Sequence, residues 1–314
     1  MTGTPFDPAV ALAAFDRQIR RSLDAPLAGW LVEQAGAVIR TTSPPLAAHG
    51  CFVIWSELDA ASADQAIREQ ITYFASLDQG HGRGFEWKLF GHDEPDDLPD
   101  RLTAAGFVAE DVETLVIGLA REILATAGAS SLPALPGLTI REVSEATLEH
   151  DLARIGAMHE AVWGGDFSSL MDELRVEYLA DPSLLRIHLV EALVSGGGPL
   201  VLSSGWLRLQ PGTEFASLWG GSTLAEWRGQ GLYRELVRRR AQQAVEADFH
   251  YLQVDTSPDS RPILERLGFH AVTWTQPYVW SPRAPERAAS PASPRRAQAR
   301  RRSRPTSAGG RPDS

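Results

Sequence analysis

The segment Leu218–Arg234, LWGGSTLAEWRGQGLYR, holds the residues best placed to do chemistry. A strand ends, the chain turns through Leu224-Ala225-Glu226-Trp227, and Arg228-Gly229-Gln230-Gly231 opens an amphipathic helix. Free backbone N–H groups at a helix start, with glycines permitting close approach, form an anion site. The helix dipole adds partial positive charge there. This is chemistry for a pyrophosphate without a bound metal. It is not a Walker loop, because no Gly-Lys-Ser/Thr follows, and not a dinucleotide fingerprint, because Gly-x-Gly-x-x-Gly is absent. His159, His188 and His250 have no metal-ligand spacing and read as structural or exposed side chains. No metal is expected.

The elements that must position this turn follow from pattern. After a linker near Ala125–Gly137, rich in small residues and proline, Leu138–Val143 alternates as a strand. Helical stretches follow around Ala146–Trp163 and Phe167–Ala180, the second stopping at Asp181-Pro182. Strands are expected at Leu185–Val194 and Leu200–Gln210, joined through Ser195-Gly196-Gly197-Gly198-Pro199 as a hairpin. Then come a strand at Phe215–Thr223, a helix from about Gly231 to Ala247 and a strand at His250–Asp255. A short helix near Arg261–Leu267 and strands at Phe269–Thr273 and Tyr278–Trp280 close the half. The fold class is α/β in the α+β sense, with helices flanking mixed, mostly antiparallel sheets.

The first half echoes this order. FEWKLF (Phe85–Phe90), a polar turn, a helix near Leu98–Ala105, Gly106-Phe107 and a strand at Glu113–Ile117 match HYLQVD, TSPDS, RPILERL, Gly268-Phe269 and a strand. In each, glycine supplies the left-handed residue after the helix and the aromatic re-enters the core. A diverged duplication is expected: a domain over residues 1–125, a linker over 126–136, a domain over 137–282 and a tail over 283–314. From Pro282 onward the chain holds nine Arg against two acidic residues, whereas the chain as a whole carries −10, leaving an acidic body of −17. With no aromatic or branched aliphatic residue, the tail reads as a solvated extension and a poor nucleic-acid binder. One cysteine, no apolar run near the ~20 residues of a membrane span and no basic start before an apolar stretch read as a cytoplasmic protein.

The Arg228–Tyr233 turn resembles the acyl-CoA motif of the GNAT (GCN5-related N-acetyltransferase) family, Arg/Gln-x-x-Gly-x-Gly/Ala. Arg228 and Gly231 match, Gly229 is an addition that many members carry, and Tyr233 replaces the small third residue. Ile263–Phe269, ILERLGF, matches a second signature of the family. The resemblance covers residues 137–282, and the first half is similar to a degenerate copy, giving the tandem arrangement. Its corresponding stretch, ELDAASADQAIREQ, has no glycine, so it is not expected to bind a CoA pyrophosphate.

The resemblance implies acetyl-CoA as cosubstrate and attack of an amine on its thioester. Backbone groups of Thr223 and Leu224 would meet the pantetheine and polarise the thioester carbonyl. Those of Arg228, Gly229, Gln230, Gly231, Leu232 and Tyr233 would hold the pyrophosphate. The tyrosine that serves many members as acid falls at Leu264. Ser257, Ser260 and Tyr278 are the substitutes, with Asp255 as first candidate base and Glu214 behind it. Local capping for Asp255 and Ser257, and core packing for Tyr278, are the plainer alternatives. Trp206, Trp219, Trp274 and Trp280 would line a pocket or fill the core. The acidic body favours a small cationic amine as acceptor. A non-catalytic acyl-CoA-binding or regulatory protein is the alternative function.

Overall fold

A computed structural model describes residues 5–24, 29–44, 50–78, 81–130, 137–193 and 199–282. The glycine-rich hairpin at 195–198 and the tail from 283 lie outside these residues. Among the described residues, no helix is long and apolar enough to cross a membrane.

The first half comprises α1 (Pro8–Phe15), a π turn (Asp16–Arg20), β1 (Leu31–Ala35), β2 (Val38–Thr42), β3 (Cys51–Ser56), α2 (Ala63–Ser76), β4 (Phe85–Phe90), α3 (Leu98–Ala104), β5 (Val108–Ala109), β6 (Glu113–Leu119) and α4 (Ala120–Ala127). The second half comprises β7 (Leu138–Glu142), α5 (Leu148–Trp163), α6 (Ser168–Ala180), β8 (Leu185–Leu193), β9 (Pro199–Leu209), β10 (Phe215–Thr223), α7 (Leu232–Glu246), β11 (Tyr251–Thr256), α8 (Arg261–Glu265) and β12 (His270–Trp280). α4 carries the helix two residues into the expected linker.

The strands form one 12-stranded sheet rather than one per half, in the order β1-β2-β3-β4-β12-β6-β11-β10-β9-β8-β7, with β5 alongside β12. That order reads nearly the same from both ends. Each half contributes an antiparallel run ending in one parallel pair: β3 with β4 in the first half, β10 with β11 in the second. The last strands are exchanged: β12 of the second half pairs with β4 of the first, and β6 of the first pairs with β11 of the second. β12 and β6 pair with each other at the centre.

The helix–Gly-Phe echo is reproduced in the backbone. Gly106 and Gly268 take φ 93° and 96°. The Phe107 N–H donates to the Leu102 carbonyl at 3.1 Å, and the Phe269 N–H to the Leu264 carbonyl at 3.2 Å. Both phenylalanines are buried. These turns return the chain toward the exchanged strands. β12 is a single strand, where separate strands at Phe269–Thr273 and Tyr278–Trp280 were expected. Its partners explain the continuity: His270–Thr275 pairs with β6 across a bulge, and Thr275–Trp280 pairs with β4. Pro277 keeps a place by accepting, through its carbonyl, from the Glu110 N–H.

α4, α7 and α8 bury Val237, Ala241, Leu252, Leu264 and Phe269 against one face of the second half. α5 and α6 cover the other with Ile155, Leu174, Ile187 and Trp206. α1 lies over Leu115, Ile117, Phe215 and Tyr251 near the middle of the sheet. α2 and α3 pack on Phe85, Trp87 and Tyr278 in the first half.

Candidate active site

The second half opens where β10 and β11 part. Their parallel pairing runs only from Phe215/Tyr251 to Ser217/Gln253, although β10 continues to Thr223 and β11 to Thr256. On its other edge β10 pairs with β9, but the register breaks between Trp219 and Ser222. Gly220 and Gly221 form this bulge, Gly220 at φ 60°. A Cβ on Gly220 would come within 1.9 Å of the Trp206 ring, and one on Gly221 within 2.6 Å of the Tyr233 ring. Both glycines are therefore set by close approach, and Gly220 by backbone shape as well. The bulky Tyr233, in place of a small third motif residue, is accommodated because its neighbour across the turn is a glycine.

Beyond β10 a 3₁₀ turn (Ala225–Trp227) leads to Gly229 at φ 77° and Gly231 at φ 85°, the N-cap of α7. No side chain caps this helix. The first N–H of α7 to meet a main-chain carbonyl is Glu235, which donates to Gly231 at 3.0 Å. The N–H groups of Leu232, Tyr233 and Arg234 precede the first intrahelical bond, so they are open to an anion. A Cβ built on Gly229 meets no atom within 4 Å, which leaves the approach clear. This arrangement fits a pyrophosphate.

Thr223 and Leu224 are placed differently from expectation. The Leu224 N–H donates to the Leu202 carbonyl at 2.9 Å, and the Thr223 carbonyl accepts from Arg228 Nε at 3.2 Å. The bulge restores pairing with β9 from Ser222 onward, so these groups are engaged. The backbone released by the bulge is that of Gly220 and Gly221.

Asp255 lies at the end of β11 and Ser257 just beyond it, and Tyr278 does not join them. Asp255 is ion-paired with Lys88 of β4 and accepts from Thr275 Oγ1 at 3.3 Å. Lys88 is the chain's one lysine, and it reaches this carboxylate from the other half. Ser257 belongs to a hydroxyl cluster with Thr256 and Ser260 at the start of α8. Its carbonyl accepts from the Ser260 and Arg261 N–H groups, a turn-capping arrangement. Tyr278 is an odd number of residues from Thr275, so it faces the opposite side of β12. There it is buried with Phe85, Trp87 and Leu98, its hydroxyl donating to Gln276 at 3.3 Å. Glu214 sits at the start of β10, the end away from the opening, and accepts from Gln18 at 2.6 Å. Leu264 is fully buried in the apolar core around α8.

Trp206 is buried and Trp219 half-buried beside it, whereas Trp274 is exposed. His250 is exposed. His159 and His188 are buried, and burial pushes them down to about 4 and about 3, the latter aided by Arg240, Arg239 and Arg186. Among the described residues no His, Cys, Asp and Glu cluster is arranged to hold a metal.

The first half has the same divergence and fills it from within. β3 and β4 pair only from Cys51/Phe85 to Val53/Trp87. Arg20 enters beside the next residue, donating through Nε to the Ile54 carbonyl at 3.1 Å and through Nη2 to both Asp93 oxygens at 2.7 and 2.9 Å. Its guanidinium lies 3.7 Å from the centre of the Phe90 ring. Before α2, the Asp59 carboxylate accepts from the Ala61 and Ser62 N–H groups at 3.0 and 2.8 Å. It closes the turn ahead of α2 as an internal anion, while α2 itself, like α7, has no side-chain cap.

No sequence-family profile and no curated protein sequence matches the chain. Solved structures do match. A GCN5-related N-acetyltransferase from Kribbella flavida superposes with a TM-score of 0.58 at 16% identity, covering 88% of this chain and 96% of that one. A tandem GNAT protein from the clavulanic acid biosynthesis pathway gives 0.51 at 12% identity, covering 91% and 92%. A GCN5-related N-acetyltransferase from Sphaerobacter thermophilus gives 0.52 at 12% identity, covering 79% and 78%. At such identities the likeness is one of architecture, and with the divergent strands, the uncapped α7 and the mirrored halves it shows that this chain has the fold of the GNAT acetyltransferases in tandem form.

Proposed function

We propose that the chain is a cytoplasmic acyl-CoA-dependent N-acetyltransferase that moves the acetyl group of acetyl-CoA onto an amine of a small molecule. The observation that carries this reading is the contrast between the halves. In the first half Arg20 fills the strand divergence and Asp59 closes the turn before α2, whereas in the second half the divergence leads through the left-handed Gly229 and Gly231 into α7. Residues 1–125 are then a degenerate domain that shapes the acceptor side of the domain at 137–282. The N–H groups of Gly229–Tyr233 hold the pyrophosphate, the expected Arg228 N–H being engaged with the Ala225 carbonyl at 3.3 Å, and the pantetheine runs along the released edge of β10. The amine nitrogen attacks the thioester carbonyl, the carbon–sulfur bond breaks, and the CoA thiolate leaves to take up a proton. Asp255, at the end of β11, is the carboxylate that would meet an incoming ammonium and share its charge with Lys88.

A second reading, a protein that binds acyl-CoA without turning it over, is favoured by two observations. Leu264 is sealed in an apolar core where the acid would stand, and Asp255 already has a cation as partner. The two readings separate in one assay: acetyl-CoA with a panel of amines, monitored for free CoA thiol. Transfer predicts thiol release with at least one amine; the binder predicts tight CoA binding by calorimetry and no release. Gly231→Glu is expected to weaken CoA binding more than tenfold with an unchanged circular dichroism spectrum, since each charge-assisted hydrogen bond to phosphate contributes about 1.5–3 kcal/mol. Unaltered affinity in that variant removes the pyrophosphate from the α7 start.

A further inference from the structure

Arg240, on α7, is buried to 1% exposure, and among the described residues no carboxylate pairs with it. Its Nε donates to the Leu236 carbonyl at 3.0 Å, and Nη1 donates to the carbonyls of Trp206 and Trp219, both at 3.3 Å. Nη2 has no hydrogen-bond partner. Gly205 makes room for the group, since a Cβ there would come within 2.9 Å of Nη1. Burial pushes the guanidinium down to about 10, which leaves it cationic at neutral pH. Burying an ion without a counter-ion costs several kcal/mol. Its neighbours His188 and Tyr233 supply no counter-ion, since burial holds the imidazole neutral and pushes the phenol up.

The Trp219 carbonyl belongs to the same peptide group as the Gly220 N–H. In a trans peptide the two point in opposite directions. With its carbonyl turned toward β9 and Arg240, this group turns its N–H the other way, toward the side from which β11 has departed. Neither Gly220 nor Gly221 has a rung in the β9 or β11 ladder. A hydrogen bond from a cation to the carbonyl withdraws electron density from the whole peptide and strengthens its N–H as a donor.

We propose that Arg240 is a positioning residue that fixes and polarises the Trp219–Gly220 peptide, so that the Gly220 N–H stabilises the thioester oxygen as negative charge develops on it. The proposal rests on the acetyl-transfer reading above. When the amine attacks, the carbonyl π electrons move onto that oxygen, and they return as the thiolate departs. A prealigned donor in the gap lowers the energy of that intermediate. Arg240 touches neither reactant, and its charge acts through the Trp219–Gly220 peptide.

The test uses the full chain and acetyl-CoA carrying carbon-13 at the thioester carbonyl. In the native protein the bound carbonyl resonance is expected downfield of free acetyl-CoA. Arg240→Met should return it toward the free value while leaving CoA affinity by calorimetry within about threefold. Any measurable transfer should fall about tenfold, less than the 10²–10³-fold loss typical when an oxyanion donor itself is removed. If the methionine variant does not fold, Arg240→Gln retains a neutral donor, and an intermediate resonance is expected. An unchanged resonance in whichever variant folds overturns the role of Arg240. Failure of the native protein to bind acetyl-CoA overturns the acetyl-transfer reading itself, a separable outcome.

Discussion

His159 is hydrogen-bonded to Ser204 at 3.1 Å and lies 5.4 Å from the Phe167 ring centre and 5.9 Å from that of Trp206. Its ordinary value of 6.5 falls to about 4 because burial disfavours the imidazolium, and His188 falls to about 3 for the same leading cause. Both stay neutral in the folded protein where the unfolded chain would protonate them. Their stabilising effect is complete above pH 6.5 and is lost as pH falls from 6.5 toward 4 for His159 and toward 3 for His188. Each contributes a slope of up to about 1.4 kcal/mol per pH unit in that window. Chemical denaturation between pH 7 and 4.5 should show this decline, and His159→Gln should reduce its slope by about half. A pH-independent midpoint would show that neither ring is held neutral. The sequence marks these residues only as histidines without metal spacing, since their burial depends on helices and strands far apart in the chain. Asp255 was legible as a carboxylate at a strand end, but its partner Lys88 was not. Nothing local to either residue announces a pairing across 167 positions.

Elements were read more reliably than their ends or their partners. The strands Phe215–Thr223 and Phe85–Phe90 have the bounds expected from the sequence, and in Phe85–Phe90 buried and half-buried residues alternate over the first four positions. Alternation is a local property, whereas the bulge inside β10 is not, and it moved the released backbone upstream of Thr223. The signal that was available is the pair Gly220-Gly221 inside a strand, a pattern that marks a bulge or a close approach. For α1 the available signal is Asp7-Pro8, whose carboxylate accepts from the Ala9 and Val10 N–H groups, and for the β1–β2 hairpin it is Gly36 at φ 62°. Gly220→Ala tests the bulge as a unit. Its methyl group meets the Trp206 ring and a positive φ together, so the cost should reach about 1–3 kcal/mol, the range seen for overpacked sites. Thermal unfolding would report that loss, and acetyl-CoA affinity should fall with it. A variant with native stability and affinity would mean that β10 tolerates a regular strand at this point.

At the scale of the molecule, the sequence repeat predicts two lobes, but the chain builds one sheet by exchanging the last strand of each half. The repeat itself is visible in Gly106-Phe107 and Gly268-Phe269. The exchange is not, because either half's final strand suits either neighbour; the order β4-β12-β6-β11 is a choice among near-equivalent pairings. That near-equivalence has a consequence for residues 137–282 produced alone. Without β6, the free edge of β11 and the whole of β12 expose paired-strand surface, including Leu252 and Phe269, which are buried in the complete chain. Edge strands of this kind recruit another chain. A second copy offers a β12 that can take the place of β6 against β11, and the two β12 strands can then pair antiparallel about a twofold axis. Light scattering should therefore find the isolated second half as a dimer. Addition of a separately produced fragment 1–130 should convert it to a one-to-one complex, since the native partner also restores the contacts of α4 with α7, where Arg234 binds the Ala127 carbonyl. A stable monomeric fragment with native-like β-structure would show that strand exchange is dispensable and that each half closes its own sheet.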